Sequence, residues 1–241
     1  TISSSGSNKP NLAKRLSRGW GRVSEILGIV SEAPLGRWKI KSGLLLRKSL
    51  LINTILFNSE AWHNLSQLQI EAFGKIDKAL LWGLLVGHAR LPLPALYLES
   101  SQLPIRYIMA VRRILYLQTI LHRDSNELIK KVYLAQKADP VKGDFCQLVE
   151  KDRQLIGCQL EDDQIEVMTK YDCKVLVKRM AKEAAFDWLM AVKATKTKMD
   201  NISYERSFKC QPYLHTLSRD QSSLLLALRT RTYRGIRSDF G

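Results

Sequence analysis

The chain contains no run of about 18 apolar residues, so it offers no membrane span. It has only four cysteines, Cys146, Cys158, Cys173 and Cys210, and no Cys-x-x-Cys pair among them. That removes the common zinc-ligand spacings. Cys210 and His215 lie five apart, but two ligands do not make a zinc site. Scattered reduced thiols fit an intracellular protein. The opening TISSSGSNKP lacks the charged-then-apolar order of a signal peptide. It also lacks an initiator Met, and a piece of a longer chain is expected.

Catalytic signatures are missing too. Polymerases and nucleases hold two metal ions with clustered carboxylates. The densest acidic group, Glu161, Asp162, Asp163 and Glu166, points in several directions if helical. Its expected role is a solvated helix start, where carboxylates complement the dipole. The four histidines are isolated, with His63 beside Trp62 and His122 beside Arg123. No phosphate-cradling glycine loop or Gly-x-Ser-x-Gly elbow occurs. The expectation is a segment that is no enzyme by itself, with no metal site and no cofactor.

What is present is positive charge. The 241 residues carry 38 Lys and Arg against 23 Asp and Glu, a net +15. Such a surplus favours a polyanionic partner, most commonly nucleic acid. It is concentrated at the ends. Residues 1–50 hold ten basic and two acidic residues, and residues 201–241 hold seven and three. The middle is nearly balanced, as expected of a structural body between two anion-facing surfaces. Apolar residues make up 45%, enough for a folded core.

Helical periodicity dominates. After a Ser/Gly-rich start, Leu12, Leu16, Val23, Ile26, Leu27 and Val30 recur at helical spacing. Gly19 and Gly21 weaken that helix and suggest a break. Leu44 to Phe57 reads as a buried helix, and Pro92 and Pro94 as an irregular link. Ser66 with Gln69, Thr169 with Asp172 and Ser218 with Gln221 read as N-terminal caps. Pro104 suits the first turn of a helix carrying Arg112 and Arg113, and Asp124 with Glu127 opens the next. Pro140 and Gly143 form the clearest boundary, followed by at most a short helix to Asp152. Residues 197–215 read as irregular. The fold class is all-α: an irregular multi-helix bundle with a second helical linker subdomain. The expected division is a mobile segment 1–10, a helical domain 11–138 and a helical linker region 139–241.

One stretch stands apart: ALYLESSQLPIRYIMAVRRILYLQTILHRD, Ala95 to Asp124. It resembles the thumb region of reverse transcriptases from non-LTR retrotransposons. LRKSLLINTILFNSEAW (Leu46–Trp62) is similar to the helix that follows the palm in these proteins, and SQLQIEAFGKIDKALLWGLL to the next thumb helix. ELIKKVYLAQKADPVKGDFCQLVEKD, with its Lys-Gly-Asp-aromatic turn, resembles the linker. ISYERSFKCQPYL and SLLLALRTRTYRGIRSDF resemble the segment before a Cys/His zinc knuckle, which points to the branch with a restriction-like endonuclease. Together these cover about residues 11–240, and their order and spacing carry the resemblance. The family's aromatic-x-Asp-Asp signature is absent from the chain. The resemblance therefore implies thumb and linker alone. Palm, knuckle and endonuclease would belong to a parent polyprotein acting as an RNA-directed DNA polymerase, intracellular and nuclear during integration.

A thumb grips a template–primer hybrid of RNA and DNA through its backbone, without reading sequence. The candidate phosphate contacts are Lys14, Arg18, Arg22, Lys41, Arg47 and Lys48, then Arg112 and Arg113, then Arg229, Arg231 and Arg234. Tyr233 could stack on a base between arginines. Lys14, Arg18 and Arg22 recur every four residues on one helix face. Arg47 lies in an apolar helix, where pairing with Glu60 or Glu99 to brace the fold is the competing role. One of Arg112 and Arg113 is expected to brace as well. Trp62, Trp82 and Trp188 are expected in the core. Two other classes stay open: a domesticated or decayed helical protein-interaction scaffold, and a basic peripheral membrane protein, for which no lipid-facing aromatic stripe is seen.

Overall fold

A computed structural model describes residues 9–34, 39–62, 65–85, 91–195, 199, 202–206 and 208–230. The fold is all-α, with no strand among the described residues. Its helices are α1 (Lys9–Glu32), α2 (Lys39–Leu46), α3 (Ile52–Ile55), α4 (Gln67–Leu85), α5 (Leu93–Ser100) and α6 (Ile105–Leu121). They continue with α7 (Leu128–Ala138), α8 (Phe145–Ile156), α9 (Asp162–Val167), α10 (Lys170–Ala194), α11 (Tyr213–Thr216) and α12 (Arg219–Arg229). Residues 1–7, 8 and 231–241 lie outside the described residues, so neither the N-terminal mobility nor Arg231, Tyr233 and Arg234 can be placed. Lys9 and Pro10 already belong to α1 rather than to a mobile segment.

The helix starts form as their side chains dictate. Gln69 N–H donates to Ser66 Oγ, while Ser66 N–H donates to Gln69 Oε1 at 2.8 Å. Ser218 and Gln221 repeat this reciprocal cap, and Asp172 N–H donates to Thr169 Oγ1. Each such cap satisfies a backbone donor that the first turn leaves unpaired. Pro94 sits in the first turn of α5, where a missing N–H is harmless, so the expected irregular link is helical from Leu93. Asp144 accepts from Gln147 N–H and starts α8, which runs to Ile156, longer than the short helix expected.

The chain divides into two compact units, and not at residue 138. Unit 1 comprises the described residues of Thr1–Phe57, Glu71–Gln102 and Trp188–Gly241; unit 2 comprises Asn58–Ile70 and Leu103–Asp187. The expected boundary at Pro140 fails because α7, before it, packs on α8, after it, inside one unit.

In unit 1, α1 lies against α2 and α3. Gly19 is buried at this crossing, where an added Cβ would come within 2.7 Å of Ile55 Cγ2. The glycine that suggested a break instead permits close helix approach, and α1 is continuous. Ile26, Leu51, Ile55, Phe73, Ile76, Leu80 and Leu84 are fully buried. Each contributes roughly 1.5–3 kcal/mol by leaving water. Between α2 and α3 the segment Arg47–Leu51 widens into a π-helical turn, closed by Ile52 N–H donating to Arg47 O. Helix α3 ends at Ile55; Asn58 takes a left-handed conformation (φ 53°) and turns the chain away.

Unit 2 is built around α6, which packs on α7, α8 and α9. Buried Gln118 donates its amide to Met168 O (3.0 Å) and Thr169 O (3.3 Å), satisfying carbonyls just past α9. Asp162, read as a solvated helix start, is buried. It accepts from Tyr133 Oη (2.6 Å), Lys137 Nζ (2.6 Å) and Arg153 Nη2 (2.6 Å). Burial opposes its ionisation, yet these donors together hold its carboxyl below the ordinary value.

Asp152 behaves in the opposite way. It pairs with Arg113 inside unit 2, but burial pushes its carboxyl up to about 6 against the pull of the guanidinium. The unfolded carboxyl ionises near pH ~3.9, whereas the folded one holds its proton until about 6. The folded state thus binds the extra proton across this window, and the stabilisation is lost as pH rises through it. Thermal unfolding of the wild type and of Asp152→Asn between those limits checks this. The wild type should lose more stability with rising pH than the variant does; parallel profiles would contradict it.

Candidate nucleic-acid interface

The sequence-predicted cations separate by burial. Arg47 is 3% exposed and lies in the core of unit 1. Its Nε donates to Asp77 Oδ1 at 2.6 Å and its Nη2 to Asp77 Oδ2 at 2.8 Å, a two-point pair. Its Nη1 donates to Gln102 Oε1 at 2.7 Å, and Tyr97 Oη donates to Asp77 Oδ2 at 2.9 Å. Burial works against the guanidinium charge, but Asp77 outweighs it and the Arg47 pKa is raised. Arg47 is therefore a bracing residue and leaves the set of phosphate contacts. The acid it meets is Asp77, not Glu60 or Glu99.

Arg113 leaves the set for the same reason, being 5% exposed and paired with Asp152. Its neighbour Arg112 is half-buried; burial lowers its pKa while Glu60 opposes the shift. At the other end of the chain, Arg229 Nε lies 3.3 Å from Glu99 Oε1, and its guanidinium sits 5.8 Å from the Tyr213 ring centroid. Tyr204 and Tyr213 also donate to this buried carboxylate, at 2.7 and 2.9 Å. Burial, reinforced by Glu99, raises the pKa of both phenols. Arg229 is thus drawn into a structural cluster. Lys41 and Lys48 are exposed on unit 1.

Four cations gather on α1. Lys14, Arg15, Arg18 and Arg22 line a single open groove with Asn11, Gly21, Glu25, Asn53, Thr54 and Phe57. Its volume is about 850 Å³. Among the described residues the only acid on it, Glu25, is paired with Arg22. Lys14 and Arg18 are exposed on the groove wall, and Arg15 between them donates to Asn11. Burial and then the neighbouring Arg18 lower the pKa of Arg15. Lys41 and Lys48 do not line the groove.

Sequence reading found three of the four cations and missed Arg15 and Phe57. The every-four stripe of Lys14, Arg18 and Arg22 drifts around a helix of 3.6 residues per turn. The spacing 11, 15, 18, 22 follows the helix more closely and would have named Asn11 and Arg15. Phe57 was read as the buried end of an apolar helix, but it is 59% exposed because α3 stops two residues earlier. Trp62 is buried, and Trp82 and Trp188 are half-buried.

Among the described residues no group of three or more His, Cys, Asp or Glu side chains could hold a metal ion. Nor is any described helix long and apolar enough to cross a membrane. No protein-family model, curated protein or solved structure matches this chain.

The two kinds of arginine should separate under mutation. Arg47→Ala strands Asp77 in the core and should cost about 3–5 kcal/mol. Arg18→Ala on the exposed groove wall should stay within about 0.5 kcal/mol. Urea unfolding followed by circular dichroism measures both; equal effects would contradict the division.

Proposed function

We propose that the chain is a non-catalytic, nucleic-acid-binding part of a reverse transcriptase of the non-LTR retrotransposon kind. It grips the backbone of an RNA–DNA template–primer hybrid. Polymerisation and strand cutting belong to the palm and the endonuclease of the parent polyprotein, which are its partners in the same chain. The observation that carries this reading is the α1 groove, with four cations on one wall and a single, already paired carboxylate. The ordered resemblance over residues 11–240 and the net +15 support it.

The mechanism is electrostatic. Lys14 to Arg22 spans eight residues, about 12 Å of helix. Phosphates on one strand of a duplex advance ~3.4 Å along its axis, so about three fall within reach. Guanidinium and ammonium groups bind them without reading bases, as a polymerase sliding along any template requires. Arg47 serves indirectly, by bracing the unit that carries this surface, whereas Arg113 braces the other unit.

A second reading, a helical protein-interaction scaffold descended from such an element, is favoured by exposed apolar side chains on α7. Leu128 is 76% and Val132 47% exposed, one turn apart on the same face. Salt separates the two readings. Binding of a labelled hybrid duplex should weaken with a log–log salt slope of about −3. Lys14→Glu with Arg18→Glu should abolish most of that binding and flatten the slope by about two. A wild type that ignores the hybrid at low salt would overturn the nucleic-acid reading and leave the scaffold.

A further inference from the structure

The α1 groove holds more than charge. At its end stands Phe57, a large aromatic side chain left 59% exposed. Its position is built rather than incidental. Leu51, Ile52, Ile55 and Leu56 beside it are buried, and the left-handed Asn58 closes the turn that swings Phe57 outward. The Arg15 guanidinium lies 5.7 Å from the ring centroid. Asn11 Oδ1 accepts from Arg15 Nε at 3.2 Å, which steadies the arginine beside the ring. Asn53 and Thr54, one turn before Phe57, add polar groups to the same wall.

We propose that this groove binds an unpaired nucleotide, seating its base on Phe57 beside Arg15 and its flanking phosphates on Lys14 and Arg18. This rests on the nucleic-acid reading above and narrows it to single-stranded template or primer ends. A duplex can satisfy the cations, but its bases are already stacked on both faces and cannot reach an aromatic ring. An unpaired base can. Stacking on aromatic side chains with nearby arginines is the usual chemistry of sequence-tolerant single-strand binding. Thr54 adds a hydroxyl to this wall, and the groove is within the ~300–1,000 Å³ of ordinary ligand sites.

Three probes test it on the full chain: an oligothymidylate, an abasic deoxyribose-phosphate strand of equal length, and a blunt RNA–DNA hybrid. Fluorescence anisotropy at low salt reads each affinity. The wild type should prefer the oligothymidylate to the abasic strand by about tenfold. Phe57→Ala and Phe57→Leu should lose that preference, their thymidylate affinity falling to that for the abasic strand, whereas Phe57→Tyr should keep it. Equal wild-type affinity for the thymidylate and abasic strands, or an intact preference in Phe57→Ala, overturns the proposal. In either case normal hybrid binding leaves the wider nucleic-acid reading standing. Loss of most binding in Lys14→Glu with Arg18→Glu is expected under both readings, whereas a wild type that binds none of the probes sinks both.

Discussion

Arg47 and Asp77 meet in the core of unit 1 through two parallel hydrogen bonds, with Tyr97 and Gln102 occupying the remaining positions. A charge taken this far from water is tolerable only when paired and fully hydrogen-bonded. The four residues come from the π-turn after α2, from α4, from α5 and from the turn beyond it. Satisfying the pair therefore fixes three separate segments against one another. The wide π-turn is the local device that allows it: Arg47 heads that turn, and α3 resumes immediately after. Helix α1 then packs on α3 and α4 through Gly19, and the groove lies along that seam.

This arrangement explains why net charge alone misleads about contact. Of the candidates on described residues, Arg47 and Arg113 are consumed by carboxylates inside the protein, and Arg229 is shared with Glu99. The acids involved sit in the nearly balanced middle of the chain. The surplus is left where acids are scarce, and residues 1–50 contain only Glu25 and Glu32. Of these, Glu25 reaches the groove and is taken by Arg22. Cationic character at α1 is thus a consequence of composition, whereas its availability is a consequence of how the interior is paired.

Much of the fold was legible because it is governed locally. Ser66, Thr169 and Ser218 cap helices where the spacing to Gln69, Asp172 and Gln221 said they would. The apolar periodicity of α1 marks a buried face, with Leu12, Val23, Ile26 and Val30 in the core. What escaped depends on residues distant in sequence. Asp77 is one of several charged residues of α4 until Arg47, thirty residues earlier, is brought to it. Asp162 looks solvated in an acidic run, yet Tyr133, Lys137 and Arg153 converge on it. Helices α7 and α8 pack across Pro140 inside one unit, a contact that no composition shift announces. Phe57 escaped for a local reason: the left-handed Asn58 cuts short a helix that apolar content alone would continue.

The central claim is that Arg47 and Arg113 brace the interior, whereas the exposed Lys14 and Arg18 of α1 meet a polyanion. Residue-resolved chemical labelling of lysines and arginines, read by mass spectrometry with and without an RNA–DNA hybrid, tests it most directly. In the free protein Lys14 and Arg18 should react readily, while Arg47 and Arg113 stay unlabelled. Adding the hybrid should protect Lys14 and Arg18 and leave Arg47 and Arg113 unchanged. Ready labelling of Arg47 in the free protein, or full reactivity of Lys14 and Arg18 in the complex, would contradict the account.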